Sequence, residues 1–233
     1  MIILYFIKIN IYIPKFVKLY IMRLIEHYLS IQGEGLHAGK PSYFIRFARC
    51  NLRCAWCDSG YTFGPGKEVS FAAVAQSLRR SRARYVCLTG GEPLLYPQEC
   101  LGLMQEFPQL TFDIETGGSI AIGDAQTANS CVIMDWKLSA SAMHKKMVAA
   151  NLPRLRPDRD LLKFVSTGST QEKKEILQTI KKISDRQVPV SIQPVFGSNP
   201  QALADWALSL KYPHLQFNLQ LHKYIWPNRH RSI

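Results

Sequence analysis

Acidic side chains are scarce in this chain: 17 Asp and Glu stand against 29 Lys and Arg in 233 residues, a formal net charge of +12. An excess of that size is what a phosphate-bearing partner attracts. The basic residues are dispersed, however. Arg79, Arg80, Arg82 and Arg84 form the densest group, and no stripe interleaves them with aromatics as single-strand binding requires. The charge therefore reads as solvated surface, with a few inner cations for anionic ligands and no direct nucleic-acid contact. Also missing is an apolar run long enough to span a bilayer, since residues 1–21, apolar and without acids, are broken at Lys8 and at Pro14-Lys15. They lack the charged leader and small-residue cleavage site of a secretory signal. Met22-Arg23-Leu24-Ile25-Glu26-His27-Tyr28 reads as a natural beginning. The expectation is an apolar extension over 1–21, with a mis-assigned start, followed by one catalytic domain over 22–233. No repeat, linker or low-complexity segment suggests a second domain. Six cysteines, three of them clustered, fit a reducing, cytoplasmic setting better than a disulfide framework.

Those three lie in Arg46-Phe47-Ala48-Arg49-Cys50-Asn51-Leu52-Arg53-Cys54-Ala55-Trp56-Cys57-Asp58. Three thiolates at C-x3-C-x2-C spacing can hold three corners of a cubane iron–sulfur cluster, and no fourth ligand stands nearby. A closed site suits electron transfer or structure, whereas an open iron can bind and activate a small molecule. A zinc site usually brings a second cysteine pair or histidines, and no second pair follows here. Cys87, Cys100 and Cys131 stand apart, without ligand spacing, and read as small core hydrophobes.

Short apolar runs at 43–48, 85–89, 110–115, 131–136, 161–166, 188–193 and 215–221 read as strands. Helical patterns lie between several of them: Ser70 caps one through Ala72, Val74 and Leu78, and Ser169 or Thr170 opens one through Ile176, Leu177 and Ile180. The alternation implies an α/β fold with parallel strands and outer helices, an open or closed barrel. Polar groups follow successive strands: Thr89-Gly90-Gly91-Glu92-Pro93, Glu115-Thr116-Gly117-Gly118, Asp135-Trp136-Lys137 and Gln193-Pro194. Parallel barrels place their sites at the carboxyl ends of strands, so these groups should converge.

The cysteine loop, with Trp56 before its last cysteine and Asp58 after it, resembles the signature of the radical S-adenosylmethionine (SAM) superfamily. Thr89 to Pro93 looks like the superfamily's SAM-binding motif. Two further runs, Ser30-Ile31-Gln32-Gly33-Glu34-Gly35 and Gln220-Leu221-His222-Lys223-Tyr224-Ile225-Trp226-Pro227, resemble the 7-carboxy-7-deazaguanine synthase family, and the likeness extends from about Met22 to Pro227. The resemblance implies a modified partial (β/α) barrel of the radical SAM type, acting as a homodimer. It implies conversion of 6-carboxy-5,6,7,8-tetrahydropterin to 7-carboxy-7-deazaguanine with loss of ammonia, in queuosine and 7-deazapurine biosynthesis. The implied cofactors are a 4Fe-4S cluster on Cys50, Cys54 and Cys57, SAM, and magnesium on the hydroxyl of Ser59, where the family usually has threonine. The electron donor would be flavodoxin- or ferredoxin-like.

Carried over by position, Ile31, Gln32, Gly33 and Glu34 would line the pterin pocket, Arg46 would pair with the substrate carboxylate, and Thr89, His222 and Pro227 would complete that end. Trp56, Gly91, Glu92, Glu115, Asp135, Trp136, Lys137, Gln193, Pro194, Val195 and Phe196 would surround SAM. No side-chain nucleophile is needed, because the radical is generated by cluster-bound SAM. Some family members end at the proline matching Pro227, where this chain continues through Asn228 to Ile233. Two rival readings share features of the chain: a glycyl-radical-enzyme activase, and a basic nucleic-acid-binding protein with a structural metal cluster. Replacing any one of Cys50, Cys54 or Cys57 by alanine should abolish SAM cleavage, measured as 5′-deoxyadenosine release. Full turnover in any of the three variants would contradict the cluster assignment.

Overall fold

A computed structural model of the chain describes residues 21–229 and Arg231. Most of the apolar extension, residues 1–20, thus lies outside the described residues. One nine-stranded sheet organises the molecule, in the order β3-β1-β2-β4-β5-β6-β7-β8-β9. Its strands are β1 (Ile21–Ile31), β2 (Pro41–Phe47), β3 (Lys67–Ser70), β4 (Tyr85–Gly90), β5 (Thr111–Thr116), β6 (Ser130–Asp135), β7 (Leu161–Ser166), β8 (Val190–Pro194) and β9 (Leu215–Phe217). From β2 through β4 to β9 neighbouring strands run parallel, while β1 is antiparallel to both β2 and β3. Because β3 and β9 are the two ends of the order, the barrel is open, with its gap between them.

The parallel strands are legible as apolar runs because both of their faces are covered, as in β8, where every residue is buried. Four helices pack outside: α1 (Phe71–Ser81), α2 (Pro97–Glu106), α3 (Thr170–Lys181) and α4 (Pro200–Ser209). Ser70 caps α1 by accepting the Ala73 N–H at 3.2 Å, and Ser169 caps α3 by accepting that of Glu172 at 3.3 Å. Val74 and Leu78 of α1, Leu103 of α2, Ile176 of α3 and Leu203 of α4 join Leu88, Phe112, Ile114, Val132 and Phe164 of the strands in one buried cluster. Between β5 and β6, and between β6 and β7, only short 3-10 turns intervene. No helix among the described residues is long and apolar enough to cross a membrane.

Three departures from the sequence reading have physical causes. Residues 22–28 belong to β1, whose buried Met22 and Leu24 alternate with exposed Ile21 and Arg23. Ile21, grouped with the extension by sequence, already pairs with Ser70. β3 is a polar edge strand, Lys-Glu-Val-Ser, and edge strands carry charge that hides them from an apolar search. The expected strand over 215–221 stops at Phe217, and Leu221 instead opens a short helix, α5 (Leu221–Ile225). The chain leaves the sheet there because the Leu221 N–H donates to the Gly33 carbonyl at 3.1 Å. Leu88, central in β4 and fully buried, sets the expected cost of a core deletion: Leu88→Ala should lower stability by about 2–5 kcal/mol in urea unfolding.

Candidate active site

The carboxyl ends of the parallel strands open onto a cavity of about 620 Å³. The cysteine loop leaves β2 and is clamped first by backbone hydrogen bonds. Arg49, at a φ of 64°, donates its N–H to Thr62 O at 2.6 Å and accepts the Glu92 N–H at 2.9 Å, and the Gly91 N–H reaches Phe47 O at 3.1 Å. A Cβ on Gly91 would lie 1.8 Å from the Arg49 carbonyl oxygen. That approach requires glycine, so the Thr89–Pro93 loop and the cysteine loop are fitted to each other before any ligand arrives. Glu92, fully buried, accepts the N–H groups of Leu94 at 3.0 Å and Gly117 at 2.8 Å, tying the loops after β4 and β5 together. Burial raises its pKa against those bonds.

Cys50, Cys54 and Cys57 are free and all line the cavity, the first two half-buried and the last exposed. Burial pushes the thiols of Cys50 and Cys54 up, with Lys137 opposing the shift at Cys54. Among the described residues no three Cys, His, Asp or Glu side chains converge as they would around a single metal ion. Cluster thiolates each take a different iron and stand wider apart than the ligands of one zinc. Cys87 and Cys100 are core residues, whereas Cys131 is half-buried.

Across the cavity the first and last parts of the chain meet on Glu34. Its Oε2 accepts the Lys163 ammonium at 2.6 Å and Gln193 Nε2 at 3.0 Å, and its Oε1 accepts Gln220 Nε2 at 3.0 Å. Burial alone would raise the Glu34 pKa, but the Lys163 charge, followed by that of His222, holds the carboxyl well below the usual range. Lys163 is likewise held above the ordinary lysine value, burial being outweighed by Glu34, Asp135 and Glu115. Asp135 pairs with Lys137 at 2.8 Å and lies 3.7 Å from Lys163. Gln220 also donates to Asp58 at 3.2 Å, and Lys223 pairs with Asp58 at 3.0 Å. On the far wall, Gln32 and Thr89 both donate to Glu115, at 3.2 and 3.0 Å. Arg46 donates through Nε to Glu26 at 2.9 Å and through Nη2 to Tyr28 at 3.3 Å.

Of the residues expected from sequence, Gln32, Gly33, Glu34, Arg46, Cys50, Cys54, Trp56, Cys57, Ser59, Thr89, Gly91, Glu92, Glu115, Asp135, Lys137, Gln193, Val195, Phe196, His222 and Pro227 line this cavity. Ile31, Trp136 and Pro194 do not. Ile31 pairs with Pro41 at the end of β1, Trp136 packs against the core, and Pro194 lines a small neighbouring cleft with Val195 and Phe196. His222 sits against the Gly33 backbone, where a Cβ would come within 2.3 Å of its Nδ1. Burial lowers the His222 pKa. Sequence reasoning missed Lys163, Gln220, Tyr61, Lys223 and Arg229, which also line the cavity. For Lys163 a signal existed: a charge inside the apolar run Leu161-Leu162-Lys163-Phe164 has to be matched by a buried partner.

The wall fits a polar ligand with donor groups. Asp135 Oδ1 and Gln193 Oε1 are buried acceptors without a partner among the described residues, and both residues line the cavity. An amino group or ribose hydroxyls would satisfy them. The thiols nearby are of the type an iron–sulfur cluster takes.

Residues 44–122 match the Radical SAM superfamily. The chain is 32% identical over 222 residues to the 7-carboxy-7-deazaguanine synthase of Clostridium acetobutylicum, a match covering 91% of this chain and 99% of that protein. It is 32% identical over 206 residues to the synthase of Methanospirillum hungatei, covering 88% and 85% of the two chains. The corresponding match in Thermoplasma acidophilum is 32% over 211 residues, covering 88% and 97%. In fold it is similar to the crystal structure of QueE from Escherichia coli, with a TM-score of 0.70, 21% identity, and coverage of 86% and 94%.

The Glu34–Lys163 pair carries a pH signature. A carboxyl whose pKa is depressed on folding adds stability above its unfolded value, about 4.3, and loses it as pH falls further. A lysine held high adds stability that is lost only above its unfolded value of about 10.4. Glu34→Gln strands the buried ammonium and should cost about 3–5 kcal/mol near neutral pH. In urea titrations the gap from the unaltered protein should narrow below about pH 4. A gap that stays constant into acid would show that the pair does not carry the stability.

Proposed function

The chain belongs to the 7-carboxy-7-deazaguanine synthase family of radical SAM enzymes, and on that footing we propose that it converts 6-carboxy-5,6,7,8-tetrahydropterin to 7-carboxy-7-deazaguanine with loss of ammonia. The observation that carries the reading is the shared cavity: the three cysteines line one part of it, and Gln32, Glu34, Arg46 and His222 line another. The near-full-length match of the relatives favours this over an activase or a nucleic-acid-binding protein.

Membership implies a 4Fe-4S cluster and SAM. When bound, they supply a one-electron reduction that yields a hydrogen-abstracting 5′-deoxyadenosyl radical. In this reading Cys50, Cys54 and Cys57 hold the cluster. Asp135 and Gln193 offer their unpartnered oxygens to SAM, while Lys137 pairs with the other carboxylate oxygen of Asp135 at 2.8 Å. Trp56, Val195 and Phe196 supply apolar wall that limits water, and Gly91 admits the close loop contact on which the wall rests.

Gln32, Gly33, Thr89, Glu115 and His222 orient the pterin. Burial lowers the His222 pKa, which favours the neutral imidazole, a group that can both donate and accept. Arg46, whose Nε donates to Glu26 and Nη2 to Tyr28, lines the cavity and is placed to bind a ligand carboxylate. Magnesium is proposed at Ser59. The Ser59 hydroxyl donates to Asp58 at 3.0 Å, and Asp58 is already neutralised by Lys223. The Ser59 hydroxyl would hold the ion, which would supply Lewis-acid and templating chemistry at the substrate.

The catalytic domain is proposed to span residues 22–233, with 1–21 as an extension. A homodimer, a flavodoxin- or ferredoxin-like donor and a cytoplasmic setting complete the proposal. After anaerobic cluster loading, the chain given SAM, a reductant and the carboxytetrahydropterin should form 7-carboxy-7-deazaguanine and ammonia, read by mass spectrometry. Deoxyadenosine without that product would keep the superfamily chemistry and remove the substrate.

A further inference from the structure

The charges lining the cavity do not cancel evenly, and the remainder sits in the tail beyond Pro227. Four cations of the wall each face a carboxylate: Arg46 with Glu26 at 2.9 Å, Lys137 with Asp135 at 2.8 Å, Lys163 with Glu34 at 2.6 Å and Lys223 with Asp58 at 3.0 Å. Two further carboxylates, Glu92 and Glu115, line the same space without a cation at salt-bridge distance among the described residues. An incoming carboxylate at Arg46 therefore shares that guanidinium with Glu26, and a desolvated anion left partly uncompensated is costly, so a further unpaired cation at that end would favour its binding.

Arg229 is the exception. It lines the cavity, is exposed, and has no acid partner among the described residues. Its backbone N–H donates to Trp226 O at 3.1 Å, closing a turn after α5. Two residues on, the guanidinium of Arg231 lies 4.8 Å from the ring centroid of Tyr61, and Arg46 lies 5.9 Å from the same ring. Tyr61 also donates to Glu26 at 3.1 Å, the acid that holds Arg46. Arg231 thus sits at the Arg46 end of the cavity, by an aromatic contact of the kind that cations favour.

We propose that Arg229, two residues beyond Pro227, is a substrate-positioning residue that binds the carboxylate of the ligand at the Arg46 end of the cavity. The proposal rests on the carboxypterin reading above. Its chemistry, a guanidinium on a carboxylate, is shared by SAM, which also carries one, so the test separates the two.

The full chain, cluster-loaded and kept without reductant so that no turnover occurs, is titrated with 6-carboxypterin, with pterin lacking the carboxylate, and with SAM. The pterins are followed by their own fluorescence and SAM by equilibrium dialysis. Arg229→Ala should weaken 6-carboxypterin about fivefold, as expected for a charged contact at an exposed mouth, and Arg229→Glu should weaken it more. Affinity for the uncharged pterin and for SAM should stay unchanged. Unaltered affinity in Arg229→Ala, an equal loss for both pterins, or a loss confined to SAM overturns the proposal. If the unaltered chain binds neither pterin, the substrate reading itself falls, and this inference with it.

Discussion

An open barrel has a seam, and in this molecule side chains close it. The sheet ends at β3 on one side and at β9 on the other. Glu34, in the loop after β1, reaches Lys163 on β7, Gln193 on β8 and Gln220 beyond β9. One carboxylate thus holds four parts of the chain around the cavity, with Gly33 accepting the Leu221 N–H beside it. The arrangement is stable only if charge and hydrogen bonds are complete, because a buried ion short of a partner costs more than the pair contributes. Gln220 is tied to it directly, and His222 and Lys223 follow Gln220 on the short helix α5.

Much of the architecture was legible in the sequence because burial on both faces makes parallel strands continuous and apolar. The runs beginning near Tyr43, Tyr85, Leu110, Cys131, Leu161 and Val188 needed no tertiary knowledge, and the caps at Ser70 and Ser169 announced their helices. β3 and the end of β9 were not legible in that way. β3 is short and charged because it is an edge, and residues 218–221 leave the sheet in response to a partner nearly two hundred positions earlier in the chain. β1 was readable in principle, from the alternation of Met22 and Leu24 with Ile21 and Arg23, but its charged and polar residues masked the pattern.

The site divides along the same line. Residues in local motifs, the three cysteines and Thr89 to Glu92, were visible because their spacing encodes a loop. Lys163, Gln220 and Lys223 were not, since their roles follow from acids placed opposite them by the fold. Arg46 shows how the two views combine. Its place on the cavity wall followed from its position before Cys50, while its engagement with Glu26 and Tyr28 became visible only when β1 was laid against β2.

The contact between Gly91 and Arg49 has a consequence for how such sequences drift. At position 49 the loop contact is made by the peptide group, so it leaves the side chain at liberty to change wherever a left-handed backbone is tolerated. At position 91 the absence of a side chain is itself the requirement, and any methyl group meets the carbonyl of residue 49. Selection at this pair is therefore one-sided: the arginine, for all its charge, is the replaceable member, and the glycine beside it is the one that descent must keep.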